Sequence, residues 1–173
     1  MEKSFLRSGC GLIGLILVVL VAGFFGDGPL PWAKARWETY RSRRAYHEGT
    51  YEQALARANV AIDERPNYRL AHYLKGLAQE QLRDHDGAIA SYTRAIELDE
   101  SRASQALAYR GGIYARFGGW EKAAPDFERA VALEPDNSTV RINYGVALGN
   151  EDRDAEALVH HDRAVELDPT SAV

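Results

Sequence analysis

The chain has 173 residues, a formal net charge of −4 and 46% hydrophobic residues, an ordinary balance for a globular protein. That length allows one domain of normal size and an appendage. The mildly acidic charge leaves no electrostatic footprint for nucleic acid, and the single cysteine, Cys10, excludes an intramolecular disulfide.

The first element in chain order is apolar. After a tail at 1–8, residues 8–26 carry no charge, and their core reads GLIGLILVVLVAGFF. This is long enough for a short bilayer span. A transmembrane signal-anchor helix is expected over 9–26, preceded by Lys3 and Arg7 and ended by Asp27. A cleaved signal peptide is the rival reading, with Val21-Ala22-Gly23 as its cleavage site, but the apolar run exceeds the usual length for one. Cys10/Gly14 and Ala22/Gly26 are small-residue pairs suited to packing against another membrane helix. The linker 27–34 follows, with Gly28, Pro29 and Pro31 as breakers. Trp32, Trp37 and Tyr40 come next and suit either a membrane interface or the core of a first helix.

From there the chain repeats. GTYEQALARANVAIDERP (49–66), DHDGAIASYTRAIELDE (84–100), GGWEKAAPDFERAVALEP (118–135) and DRDAEALVHHDRAVELDP (152–169) align with one another. Each holds two alanines seven residues apart: Ala54/Ala61, Ala88/Ala95, Ala123/Ala130 and Ala157/Ala164. Twelve residues before the first alanine of the last three pairs stand Gly76, Gly111 and Gly145. Seven residues are about two helical turns, so each alanine pair lies on one face where another helix can approach closely. Each unit is therefore two helices touching at small residues and joined by a polar turn such as RDHDG (83–87). A unit of this kind buries its apolar faces only by stacking on its neighbours. Pro125 inside the third copy is expected near the first turn of its helix, where it is tolerated.

This pattern resembles the tetratricopeptide repeat (TPR), a helix–turn–helix unit of about 34 residues. The resemblance covers 35–171 as repeats 35–68, 69–102, 104–137 and 138–171, with one extra residue near Ser101–Gln105. It implies an all-α fold, a right-handed α-solenoid of four repeats after the membrane helix. The third repeat fits best, with Leu107, Gly111, Tyr114, Gly118, Trp120, Ala123, Phe127, Ala130 and Pro135. The first departs at Ser42, where the family has glycine, and at Ala58, where it has a large aromatic. The fourth has His161 in that aromatic place and Asp152 for the turn glycine. His160, His161 and Asp162 make the last helix polar enough to cap the array, a protein partner being the alternative.

The resemblance also implies that the first helices of the repeats line a concave groove for a peptide or protein partner. The positions that line it here are Arg36, Thr39, Arg43, Tyr46 and His47, then Leu70, Tyr73, Leu77, Glu80 and Gln81. The third repeat supplies Gln105, Ala108, Gly112, Ala115 and Arg116, and the fourth Thr139, Ile142, Val146, Gly149 and Asn150. Of these, Arg43, Tyr46, Tyr73, Leu77, Gln81, Ala108, Arg116, Ile142 and Val146 are the expected contact residues. Relatives that clamp chaperone carboxylate tails use Lys, Asn and Arg at places occupied here by Thr39, Arg43, Leu74, Gln105 and Tyr109. Only Arg43 is basic, so no such clamp is expected.

No catalytic residues, metal ligands or cofactor site are expected. There is no Gly-rich phosphate loop, no HExxH and no cysteine in the repeats. His160 and His161 are adjacent and point about 100° apart on a helix. Asp84-His85-Asp86 reads as a solvated turn.

Residues 34–48 carry a net +3 and 49–173 a net −7. The basic segment directly follows the anchor, where it suits either anionic headgroups or water. Lys3 and Arg7 favour a cytoplasmic amino terminus, and the later basic residues favour the reverse. The expectation is a single-pass membrane protein with its repeats outside the cytoplasm. It would be a non-enzymatic scaffold recruiting partner proteins. The alternatives are an accessory subunit of a larger membrane complex and a secreted repeat protein.

Overall fold

The computed structural model describes residues 30–169, and these form eight α-helices and no strand. They are α1 Pro31–His47, α2 Tyr51–Glu64, α3 Arg69–Gln81, α4 His85–Leu98, α5 Ser104–Arg116, α6 Trp120–Leu133, α7 Ser138–Asn150 and α8 Asp154–Leu167. No helix among the described residues is long and apolar enough to cross a membrane. The anchor expected over 9–26 lies outside them. Helix α1 opens at Pro31, within the stretch read as linker, because a proline at the first helical position has no amide bond to lose.

The helices pair as α1/α2, α3/α4, α5/α6 and α7/α8, and each pair packs on the next. Each odd-numbered helix stops in the same way. Gly49 (φ 75°), Arg83 (64°), Gly118 (74°) and Asp152 (56°) occupy equivalent places in the left-handed region. The next amide then reaches back five residues, as Thr50 N does to Ala45 O (2.9 Å), Asp84 N to Gln79 O (2.9 Å), Gly119 N to Tyr114 O (2.8 Å) and Arg153 N to Leu148 O (3.0 Å). This Schellman closure satisfies carbonyls that would otherwise be orphaned and turns the chain into the second helix. The extra residue expected near Ser101–Gln105 is absorbed by a 3₁₀ turn, Glu100–Arg102, in the connection between the second and third repeats.

Within each pair the contact is a match of sizes. Gly76 lies under the ring of Tyr92, Gly111 under Phe127 and Gly145 under His161, each sixteen residues on. A Cβ at Gly76 would stand 2.6 Å from the Tyr92 ring, and one at Gly145 2.7 Å from the His161 ring. In the first repeat both partners are exchanged. Ser42 holds the glycine place, Ala58 the aromatic place, both fully buried, and the Ser42 hydroxyl donates to Ala54 O at 2.8 Å. Ala88, Ala95, Ala123, Ala130, Ala157 and Ala164 are all buried at the same seams. The main core runs from Ala58 to Ala157 through every repeat, with Tyr92, Leu107, Ile113, Phe127, Val140 and Leu148 as its large members. Arg110 forms a bidentate pair with Asp126 (2.7 and 2.8 Å) and donates to Thr93 Oγ1 (2.9 Å), tying α5 to both α6 and α4.

Two expectations change. Pro125 is the sixth residue of α6, past the first turn, so its missing N–H leaves the Glu121 carbonyl without its helical partner. Both residues are exposed, so water serves that carbonyl. Trp32, Trp37 and Tyr40 are not core residues: they are half or more exposed, and Trp37 stacks on Tyr40 at 5.7 Å.

Candidate functional site

The odd-numbered helices form one layer. Helix α1 lies against α3, and α5 against α7, while α3 and α5 approach each other less closely. Tyrosine rings fill that wider middle seam. Tyr73 and Tyr109 are 6.2 Å apart between centroids, and Tyr92 stacks on Tyr109 at 5.9 Å. Burial, as the largest cause, pushes the phenols of Tyr73, Tyr92 and Tyr109 above their ordinary range, so they remain protonated donors at any physiological pH. The Tyr92 hydroxyl donates to Glu80 Oε2 (3.2 Å), and Arg116 approaches Glu80 Oε1 (3.6 Å). The Gln81 amide donates to the Tyr46 hydroxyl at 3.3 Å, linking α3 to α1.

Beside this seam lies a cavity of about 170 Å³. Its floor is small and apolar: Ala108, Gly112, Ala115, Val146 and Ala147. Its rim is polar: Glu80, Tyr109, Arg116, Asn143 and Asn150. Gly112 decides the depth. A Cβ built there meets no atom within 4 Å, so packing does not require the glycine. Glycine in a helix interior costs about 1 kcal/mol relative to alanine. Its effect is to leave the helix backbone open to whatever enters.

Of the expected contact residues, Ala108, Arg116 and Val146 line this cavity. Tyr46 and Gln81 bond to each other, and Tyr73 joins the tyrosine cluster. Arg43 is exposed and lines a separate hollow with Tyr40 and His47. Leu77 is buried in the main core, and Ile142 is half-buried outside the cavity. Asn143 and Ala147 line the cavity but were not foreseen, and Tyr109 was foreseen only as a clamp position. Tyr109 and Asn143 hold equivalent places in the third and fourth repeats, and this recurrence is the signal that could have found them. At the chaperone-clamp positions, Thr39 is buried with its hydroxyl on the Arg36 carbonyl (2.8 Å), and Leu74 is core. Asp84 proves to be a helix cap, accepting from Gly87 N at 3.0 Å, and His85 packs edge-on to Phe117.

The tetratricopeptide repeat family matches residues 70–102 and again 110–172. A solved domain, the second TPR of Spaghetti (RPAP3) bound to HSP90 peptide SRMEEVD, is 30% identical and spans 58% of this chain and 93% of its own, with a TM-score of 0.56. The chain belongs to the tetratricopeptide repeat family. Among other solved structures, that of MamA matches over 99% of this chain and 99% of its own at a TM-score of 0.65 and 16% identity, a likeness of fold alone. Anaphase-promoting complex subunit 3 of Schizosaccharomyces pombe is 28% identical over 123 residues, 71% of this chain and 18% of that protein. The chain spans less than a quarter of the length of the curated relatives it matches.

Proposed function

We propose that this protein is a membrane-anchored TPR scaffold that holds a segment of a partner protein in its groove and recruits that partner to the membrane. The observation that carries the reading is the cavity between α5 and α7, with a small apolar floor, a polar rim and a glycine that the fold does not need. Such a surface accepts one side chain of a peptide over Gly112, while Asn143, Asn150 and the tyrosines offer hydrogen bonds to its backbone. The uncharged run at 8–26 supports the anchor, and Lys3 and Arg7 support repeats on the extracytoplasmic side.

The test is crosslinked capture from native membranes by the full chain and by Gly112→Trp. The expected result is a set of proteins retained by the wild type and lost from the variant, with both chains equally helical and both resistant to alkaline extraction. Equal capture by both sinks the groove reading. Alkaline extraction of the wild type into the soluble fraction sinks the anchor.

A further inference from the structure

The two ends of the array are complementary, and the repeats themselves supply the register. In the internal seams, the odd-numbered helix of one repeat packs on the even-numbered helix before it, and three contacts, two at the first seam and one at the second, mark the register. Ala71 of α3 shares a cluster with Ile62 of α2. Ala78 of α3 shares another with Leu55 of α2. Arg110 of α5 donates to Thr93 of α4. Projected by the repeat period, the same three places on α1 are Trp37, Arg44 and Arg41, and on α8 they are Val165, Leu158 and Asp162.

Five of these six residues are exposed, and Arg41 is half-buried with its guanidinium 3.4 Å from Glu38. Later residues in the place of Trp37, namely Ala71, Ala106 and Val140, are buried, whereas Trp37 is 58% exposed. Ile62, Ile96 and Val131 are covered in the place where Val165 is 44% exposed, and Leu158 is 59% exposed where Leu55 and Ile89 are packed. The last described helix therefore leaves apolar side chains uncovered. Residues 158, 162 and 165 form one stripe on α8, and 37, 41 and 44 form one on α1. The first stripe is apolar and acidic, and the second is aromatic and basic.

We infer that α8 of one copy is covered by α1 of a second copy, head to tail. Trp37 then lies on Val165, Arg41 faces Asp162, and the stem of Arg44 covers Leu158. The interface is heterologous, so repetition extends the solenoid instead of closing a dimer. Trp37 is bulkier than Ala71, Ala106 and Val140, whose place it takes, so the seam between copies is wider than that between repeats, and the association is reversible.

The test uses the full chain in mild detergent with Cys10→Ser, so that introduced cysteines report alone. Trp37→Cys in one copy and Val165→Cys in another, carrying different tags, are mixed under oxidation. The expected product is a mixed dimer with neither variant linking to itself, and the double variant gives a ladder of higher multiples. Arg41→Glu is expected to reduce the mixed product at least several-fold, and Asp162→Lys on the other copy is expected to restore it. Absence of the mixed product overturns the inference, as does Val165→Cys pairing only with itself. Protection of Trp37→Cys from maleimide in lipid vesicles without any crosslink places α1 on the bilayer and also overturns it.

Discussion

The ring of Tyr92 occupies the space that a side chain at residue 76 would need: a Cβ on Gly76 would lie 2.6 Å from it. Gly112, two turns into α5, has no such neighbour. Alanine should therefore act in opposite directions at the two sites. Gly76→Ala is expected to destabilise by about 1–3 kcal/mol through overpacking. Gly112→Ala is expected to stabilise by up to about 1 kcal/mol through helix propensity. Urea melts of the two variants check this, and the same sign at both sites would refute the distinction between a packing glycine and an open one.

Arg83 and Asp152 hold the left-handed turn position that glycine holds at Gly49 and Gly118. A non-glycine residue there carries a steric cost of about 1–2 kcal/mol, partly offset by the smaller unfolded-state entropy of a chain with a side chain. Arg83→Gly and Asp152→Gly are each expected to raise stability by about 0.5–1 kcal/mol, and Gly118→Ala to lower it by about 1 kcal/mol. Thermal midpoints that move the other way would show that these turns are held by their side chains.

His160 packs on the Tyr144 ring at 4.3 Å, with its Nδ1 3.4 Å from Arg141. Burial first, then the Arg141 charge, lowers its pKa below the ordinary imidazole value. The unfolded chain consequently binds the proton more readily, so this residue's contribution is complete above the unfolded pKa of about 6.5 and is lost as pH falls through the lower folded value. Melting at pH 7.5 and 5.5 should show a larger loss for the wild type than for His160→Gln. Equal losses would remove His160 from the account.

The chaperone-tail reading gives a sharp negative. With Thr39 and Leu74 buried and only Arg43 basic among the clamp positions, the peptide SRMEEVD should show no saturable binding below about 1 mM, where the binding energy is only about 4 kcal/mol. Micromolar binding by calorimetry would mean that other groove residues read the carboxylates.

Much of the fold was legible because its decisive contacts are local and periodic. The alanine pairs and Gly76, Gly111 and Gly145 mark where helices touch, and those residues are buried in the structure. The size exchange in the first repeat, Ser42 with Ala58, also showed as a departure from the pattern. Pro125 was placed about half a turn too early: α6 begins at Trp120, directly after the Gly118–Gly119 turn, so Pro125 is its sixth residue and lies just past the first turn. The exposure of Trp37 and Tyr40 was legible only as one of two readings. The place of Trp37 is core in every later repeat, as Ala71, Ala106 and Val140, and among the described residues no preceding repeat covers it. The cavity was half legible. Ala108, Arg116 and Val146 follow from the position of the groove, whereas the depth comes from Gly112, whose emptiness depends on what its neighbours do not fill.

The central claim is that a partner lies over Gly112. A photo-reactive benzoylphenylalanine placed at residue 112 meets no steric obstacle at its Cβ, and a matched probe at the exposed Ala132 of α6 reports the outer layer. Irradiation in native membranes should give discrete adducts from position 112 that are absent from position 132. The same adducts from both positions, or none from 112, would contradict the account.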